Sequence, residues 1–112
     1  MEVLRKFPED MDARTAYKLM KSPEVKNMSE AVGSVLQVAS WIQYNSPDKA
    51  TGEVKEVIAI ETVDGELFAT ISNIFREQFL DMVEWFGADL GSIKVIGRSS
   101  KAGRKYITCG VA

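Results

Sequence analysis

Five cations, Lys94, Arg98, Lys101, Arg104 and Lys105, fall between Ile93 and Ala112, and no aspartate or glutamate lies among them. The run Arg98-Ser99-Ser100-Lys101-Ala102-Gly103-Arg104-Lys105-Tyr106 joins that charge to an aromatic ring. Closely spaced cations follow the phosphates of a polyanion, and an aromatic face accepts a stacked base. Together they are what sequence-tolerant binding of a single nucleic-acid strand requires. A hairpin tip kept charged to discourage edge-to-edge pairing has the same composition. The charge is also unevenly spread. The whole chain has 14 cations and 16 acids, so the first 92 residues hold nine cations against sixteen acids, or −7, ahead of a +5 strip. An acidic body of this kind also suits a protein-interaction module without nucleic-acid affinity, and that is the alternative reading.

Further candidates lie in the preceding strands. If Leu36, Val38 and Ile42 face a core, Trp41 faces outward; if Leu67, Ala69 and Ile71 point inward, Phe68 points outward. The two rings would then form a stacking platform, with Tyr44 at the strand end able to reach either side. One bulge would invert that assignment and turn the same rings into core. Lys49 and Lys55 border the adjoining turn and could extend a phosphate track, although Asp48, Glu53 and Glu56 interleave with them.

Catalysis has little to work with. There are no histidines, which removes the commonest general base and metal ligand. The lone Cys109 allows neither an intramolecular disulfide nor a zinc cluster and reads as a small buried strand residue. A lysine in Ser99-Ser100-Lys101 would be solvated and protonated, unfit to activate a serine. Gly87-Ala88-Asp89-Leu90-Gly91 lacks the spacing of a phosphate loop. The expectation is a non-enzymatic protein with no cofactor and no metal.

These residues need elements to hold them. With 112 residues, 46% hydrophobic and 27% charged, the composition is that of one ordinary globular domain. There is no signal-peptide start and no apolar run long enough to span a membrane, so a cytoplasmic location is expected. Ala13, Ala16, Tyr17, Leu19 and Met20 are spaced for a helix over 12–21, capped by Asp10 or Asp12 and ended by Ser22-Pro23. Trp85, beside a second helical stripe, reads as packing. The period changes to two over Val32–Tyr44, with Gly33 permitting a bend. Strands follow at Val54–Val63 and Glu66–Ile71, joined through Asp64-Gly65. Phe75, Phe79, Met82, Val83 and Phe86 form one stripe of a helix from Ser72 or Asn73 to Phe86, with Gly87 as its left-handed stop. Strands at Ile93–Arg98 and Lys105–Val111 end the chain. The order β-β-β-α-β-β is that of a five-stranded OB-type barrel, mainly β, with an N-terminal helix. The expected division is a helical segment over 1–31 and a barrel over 32–112. That helix or a barrel edge could support a homo-oligomer.

At Ala69-Thr70-Ile71-Ser72-Asn73-Ile74-Phe75-Arg76-Glu77-Gln78-Phe79, and at Ser99 to Cys109 with its "SKAGRKYITC" run, the chain resembles small proteins of phages and mobile elements of Gram-positive bacteria. These are regarded as single-stranded DNA-binding proteins, and the similarity spans about Val32 to Val111. The resemblance implies an OB-fold that coats single strands, DNA or RNA, during phage or plasmid replication without catalysis. The better-known bacterial single-stranded DNA-binding proteins carry a Gly/Pro/Gln-rich tail with an acidic tip. The last expected strand runs to Val111 with Ala112 directly after it, so recruitment through such a tip, and their tetramer, are not expected here.

Overall fold

The computed structural model describes residues 2–112. Seven strands form one curled sheet, an open half-barrel, with two helices. In chain order these are β1 (Glu2–Phe7), α1 (Ala13–Lys21), β2 (Lys26–Asn27), β3 (Val35–Pro47), β4 (Val54–Thr62), β5 (Leu67–Thr70), α2 (Asn73–Phe86), β6 (Ser92–Ser99) and β7 (Lys105–Val111). Strand order is β2-β5-β4-β3-β6-β7, with β1 paired to β3. Only β2–β5 is parallel. No helix among the described residues is long and apolar enough to cross a membrane.

Two strands arise where only a helical segment was expected. β1 pairs along the Trp41–Asn45 half of β3, and the two-residue β2 lies against Phe68 and Ala69 of β5. Both are edge strands rich in charge (Glu2, Arg5, Lys6, Lys26), so they show no apolar period of their own. α1 runs between them. Its N-cap Asp12 accepts the Thr15 N–H at 2.7 Å, and that bond holds the Asp12 carboxyl below its ordinary value.

The long strand β3 organises the molecule because both of its faces are covered. Val38 pairs with Thr62 and Ser40 with Glu61, leaving Ala39 as an extra, bulged residue. Leu36 before the bulge and Trp41 after it therefore face the same side, where they pack with Phe75, Phe79, Met82 and Val83 of α2. Ile42 and Tyr44 face the other side and pack with Leu19 of α1, Val57, Ala59 and Leu67. The side under α2 is the inside of the curl, and the α1 side is the outside.

The remaining elements follow from local chemistry. The Ser72 hydroxyl accepts the Phe75 N–H at 3.2 Å to start α2, and Gly87 at φ +55° ends it. Between β4 and β5, Gly65 N donates to Thr62 O at 3.0 Å and Thr62 N to Glu66 O at 2.9 Å. This is a tight loop in which Gly65 takes the left-handed position, at φ +88°.

Candidate nucleic-acid interface

β6 and β7 form a regular antiparallel hairpin in the register Lys94↔Gly110, Ile96↔Thr108 and Arg98↔Tyr106. Opposed residues share a face and alternate along each strand. Ile93, Val95 and Cys109 therefore point inward to the α2 core, and all three are buried. Lys94, Ile96 and Arg98, with Thr108 and Tyr106 across from them, point outward. Neither helix covers this outer ladder: α2 packs under β7 from the inside, and the α1 cluster involves only β3, β4 and β5. Val35 of β3 lies opposite Lys94 and extends the ladder with an exposed apolar side chain.

The tip is ordered by its own hydrogen bonds. Ser100 N donates to Arg104 O at 2.8 Å, Gly103 N to Ser100 O at 2.9 Å, and Arg104 N to Ser100 Oγ at 3.1 Å, with Gly103 at φ +82°. Lys101 and Arg104 are thus held on a defined turn. Where the hairpin passes beyond the sheet, its inner side leaves a groove of about 490 Å³ against Ser29 and Val32, with Gly97, Ser99, Lys105 and Ile107 along it. Gly97 permits that approach, since a Cβ there would meet Val32 Cγ1 at 2.9 Å. Among the described residues, Lys94, Arg98, Lys101, Arg104 and Lys105 make no ion pair; the four ion pairs use Lys18, Lys26, Lys55 and Arg76. All five are exposed. Five full charges with no carboxylate among them make this the positive end of an otherwise acidic molecule.

Of the sequence-derived candidates, the structure brings together Arg98, Lys101, Arg104, Lys105 and Tyr106. The aromatic platform is overturned as an exposed surface. Trp41 is 3% exposed, edge-on to Phe79 at 5.4 Å between ring centroids, with the Arg5 guanidinium 5.6 Å from its ring. Phe68 is 4% exposed inside the same core, with Lys26 Nζ 4.8 Å from its ring. Tyr44 is buried beside α1, and that burial pushes its phenol up. The reason is shared: the bulge at Ala39 turned Trp41 inward, and covering helices left neither face of β3 to β5 free. Lys49 sits exposed on the turn after β3, while Lys55 is bound to Glu53 at 3.2 Å, so they do not join the hairpin charge into one track. Trp85, expected to pack, is 79% exposed. Cys109 is buried as expected, and burial pushes its thiol up to about 12.

Sequence reasoning passed over Lys94, Ile96, Thr108 and Val35 as site residues. The signal was available for two of them, because Lys94 and Arg98 stand four apart in one strand and must share a face with Ile96. Val35 and Thr108 join only through cross-strand register. Compared with protein-family models, characterised proteins and solved structures, the chain shows no match.

Proposed function

We propose that the chain binds single-stranded nucleic acid, DNA in the first place, along the outer face and tip of the β6–β7 hairpin and without sequence preference. One observation carries this reading: an uncovered sheet face on which unpaired cations alternate with Ile96, Thr108 and Tyr106, continuing into a tip with two more cations. Lys94 and Arg98 stand roughly 13 Å apart along β6, four residues at ~3.3 Å, so they would meet different phosphates rather than one. Tyr106 beside Arg98 would take a stacked base, worth about 1–3 kcal/mol. Nothing in the ladder is shaped to read base edges, which suits a binder tolerant of sequence.

The finer fold assignment belongs to the same proposal. The order β3-β4-β5-α2-β6-β7, with β6 returning to β3, favours an OB-type barrel. Closure would need β5 to meet β7; here the second edge of β5 is taken by β2, leaving the barrel open. The replication setting rests on the resemblance of residues 69–79 and 99–109 alone.

A second reading has its own observation. A cleft of about 820 Å³ between β1 and the end of α2 is lined by Val3, Leu4 and Phe7 beside Arg5, Lys6 and Glu9, with Trp41, Val83 and Ala88 completing its wall. A protein partner would dock there. Titration of oligo-dT against salt, with duplex DNA as control, separates the two. With three to five phosphates contacted, log K falls against log salt with a slope of roughly −2 to −3.5. Salt-independent binding or a preference for duplex ends the hairpin reading; no binding at all ends it too and leaves the cleft.

A further inference from the structure

We infer that α1 is a second contact element for the same single strand, supplying phosphate-binding cations and a stacking ring; the inference rests on the nucleic-acid reading above. Arg14, Tyr17, Lys18 and Lys21 recur at intervals of three and four and so share one face of the helix. The opposite face is anchored by the fully buried Leu19, with Ala16 and Met20 packed beside it. Tyr17 is 67% exposed, a large aromatic ring standing in solvent. No acid occurs from Ala13 to Pro23, although sixteen occur in the first 92 residues. Lys18 is bound to Glu61 at 2.6 Å and contributes less charge, whereas Arg14 and Lys21 make no ion pair among the described residues. An ordinary amphipathic helix would show mixed charges on its solvent face. A face of cations around one tyrosine instead repeats the chemistry of the hairpin.

Position supports the same role. α1 covers the outward side chains of β3, β4 and β5, among them Ile42, Val57, Ala59 and Leu67. An OB-type barrel would offer its second and third strands to bases; here those are β4 and β5, and the helix stripe stands outside them in their place. α1 and the Lys94–Arg98 ladder also lie on the same outer side of the sheet. Val35, opposite Lys94, and Ile42, beneath α1, both face outward on β3 and lie about 23 Å apart along it, seven residues at ~3.3 Å. A strand long enough to reach from one to the other would use both, and a short one would not.

Length dependence therefore tests the inference. Arg14→Gln/Lys21→Gln and Tyr17→Ala would be compared with wild type on oligo-dT of about 4 and about 20 nucleotides. Glutamine keeps the helix propensity, and circular dichroism would verify folding. On the long oligonucleotide the double variant should flatten the salt slope by about 1.4, two contacts at ~0.7 each. Tyr17→Ala should weaken binding about fivefold or more. On the short one, both variants should bind like wild type. Unchanged slope and affinity on the long oligonucleotide would overturn the role of α1, and if Arg98→Gln/Arg104→Gln still loses binding, the hairpin reading stands. Failure of the hairpin variant to lose binding, or of wild type to bind, would overturn both.

Discussion

Replacing Arg98, Lys101, Arg104 and Lys105 together by glutamine is expected to remove most affinity for single strands while leaving the fold intact. Four phosphate contacts contribute a salt slope of about −2.8, so their loss costs up to about three orders of magnitude in affinity near 0.1 M salt. The fold should not suffer, because none of these four side chains forms an ion pair or accepts or donates a side-chain hydrogen bond among the described residues. The hydrogen bonds of these residues are made by their backbone, among them Arg104 N–H to Ser100 Oγ and Ser100 N–H to Arg104 O, and glutamine retains them. Thermal midpoint should move little, since surface substitutions of this kind stay within about 0.5 kcal/mol each. Filter binding or fluorescence anisotropy reads the first effect and calorimetry the second. Undiminished affinity in a folded quadruple variant would remove the hairpin from the site.

Trp41→Ala is expected to do the reverse. Its indole lies in the inner core, edge-on to Phe79 and enclosed by α2, so truncation leaves a large cavity among rings that cannot close over it. Comparable truncations cost about 3–5 kcal/mol, a large part of the about 5–15 kcal/mol that stabilises a domain of this size. The midpoint should fall by at least about 10 °C. Where the variant is still folded, at low temperature, its affinity for oligo-dT should equal that of wild type. An exposed stacking residue would give the opposite pair of results, with stability preserved and binding lost. Tryptophan emission adds a related check. Trp85, not Trp41, reports on solvent, so quenching by soluble iodide should act mainly on Trp85.

The contrast between those two variants shows what could be read from the chain. Strands β4 to β7 and helix α2 are legible because their signals are local: Asp64-Gly65, the Ser72 cap, the Phe75–Phe79–Met82–Val83 stripe and the Gly87 stop each act within a turn or two. The charge of the hairpin is legible for the same reason, since it depends only on which residues are neighbours in sequence. The orientation of Trp41 and Phe68 is not. That of Trp41 hangs on Ala39 being squeezed out of register by the pairing of β3 with β4, since a single extra residue reverses every side chain beyond it, and that of Phe68 on α1 and α2 covering both faces of β5. The covering of the outer face by α1 is equally hidden. The stripe containing Leu19 tells that the helix buries one side, but not that Ile42, Val57 and Leu67 are what it buries against. β1 escapes notice because Glu2, Arg5 and Lys6 interrupt Val3 and Leu4, and its pairing with β3 is itself irregular at Leu4.

The most direct test of the hairpin as the binding surface is amide shift mapping of the folded protein titrated with oligo-dT. Saturable shifts should concentrate at Lys94, Ile96 and Arg98, at the 99–105 tip, and at Tyr106 and Thr108, and should weaken as salt is raised. The buried neighbours Val95 and Cys109 should change far less. Shifts confined to β1 and residues 83–88 around the cleft, or none at saturating oligonucleotide, would contradict it.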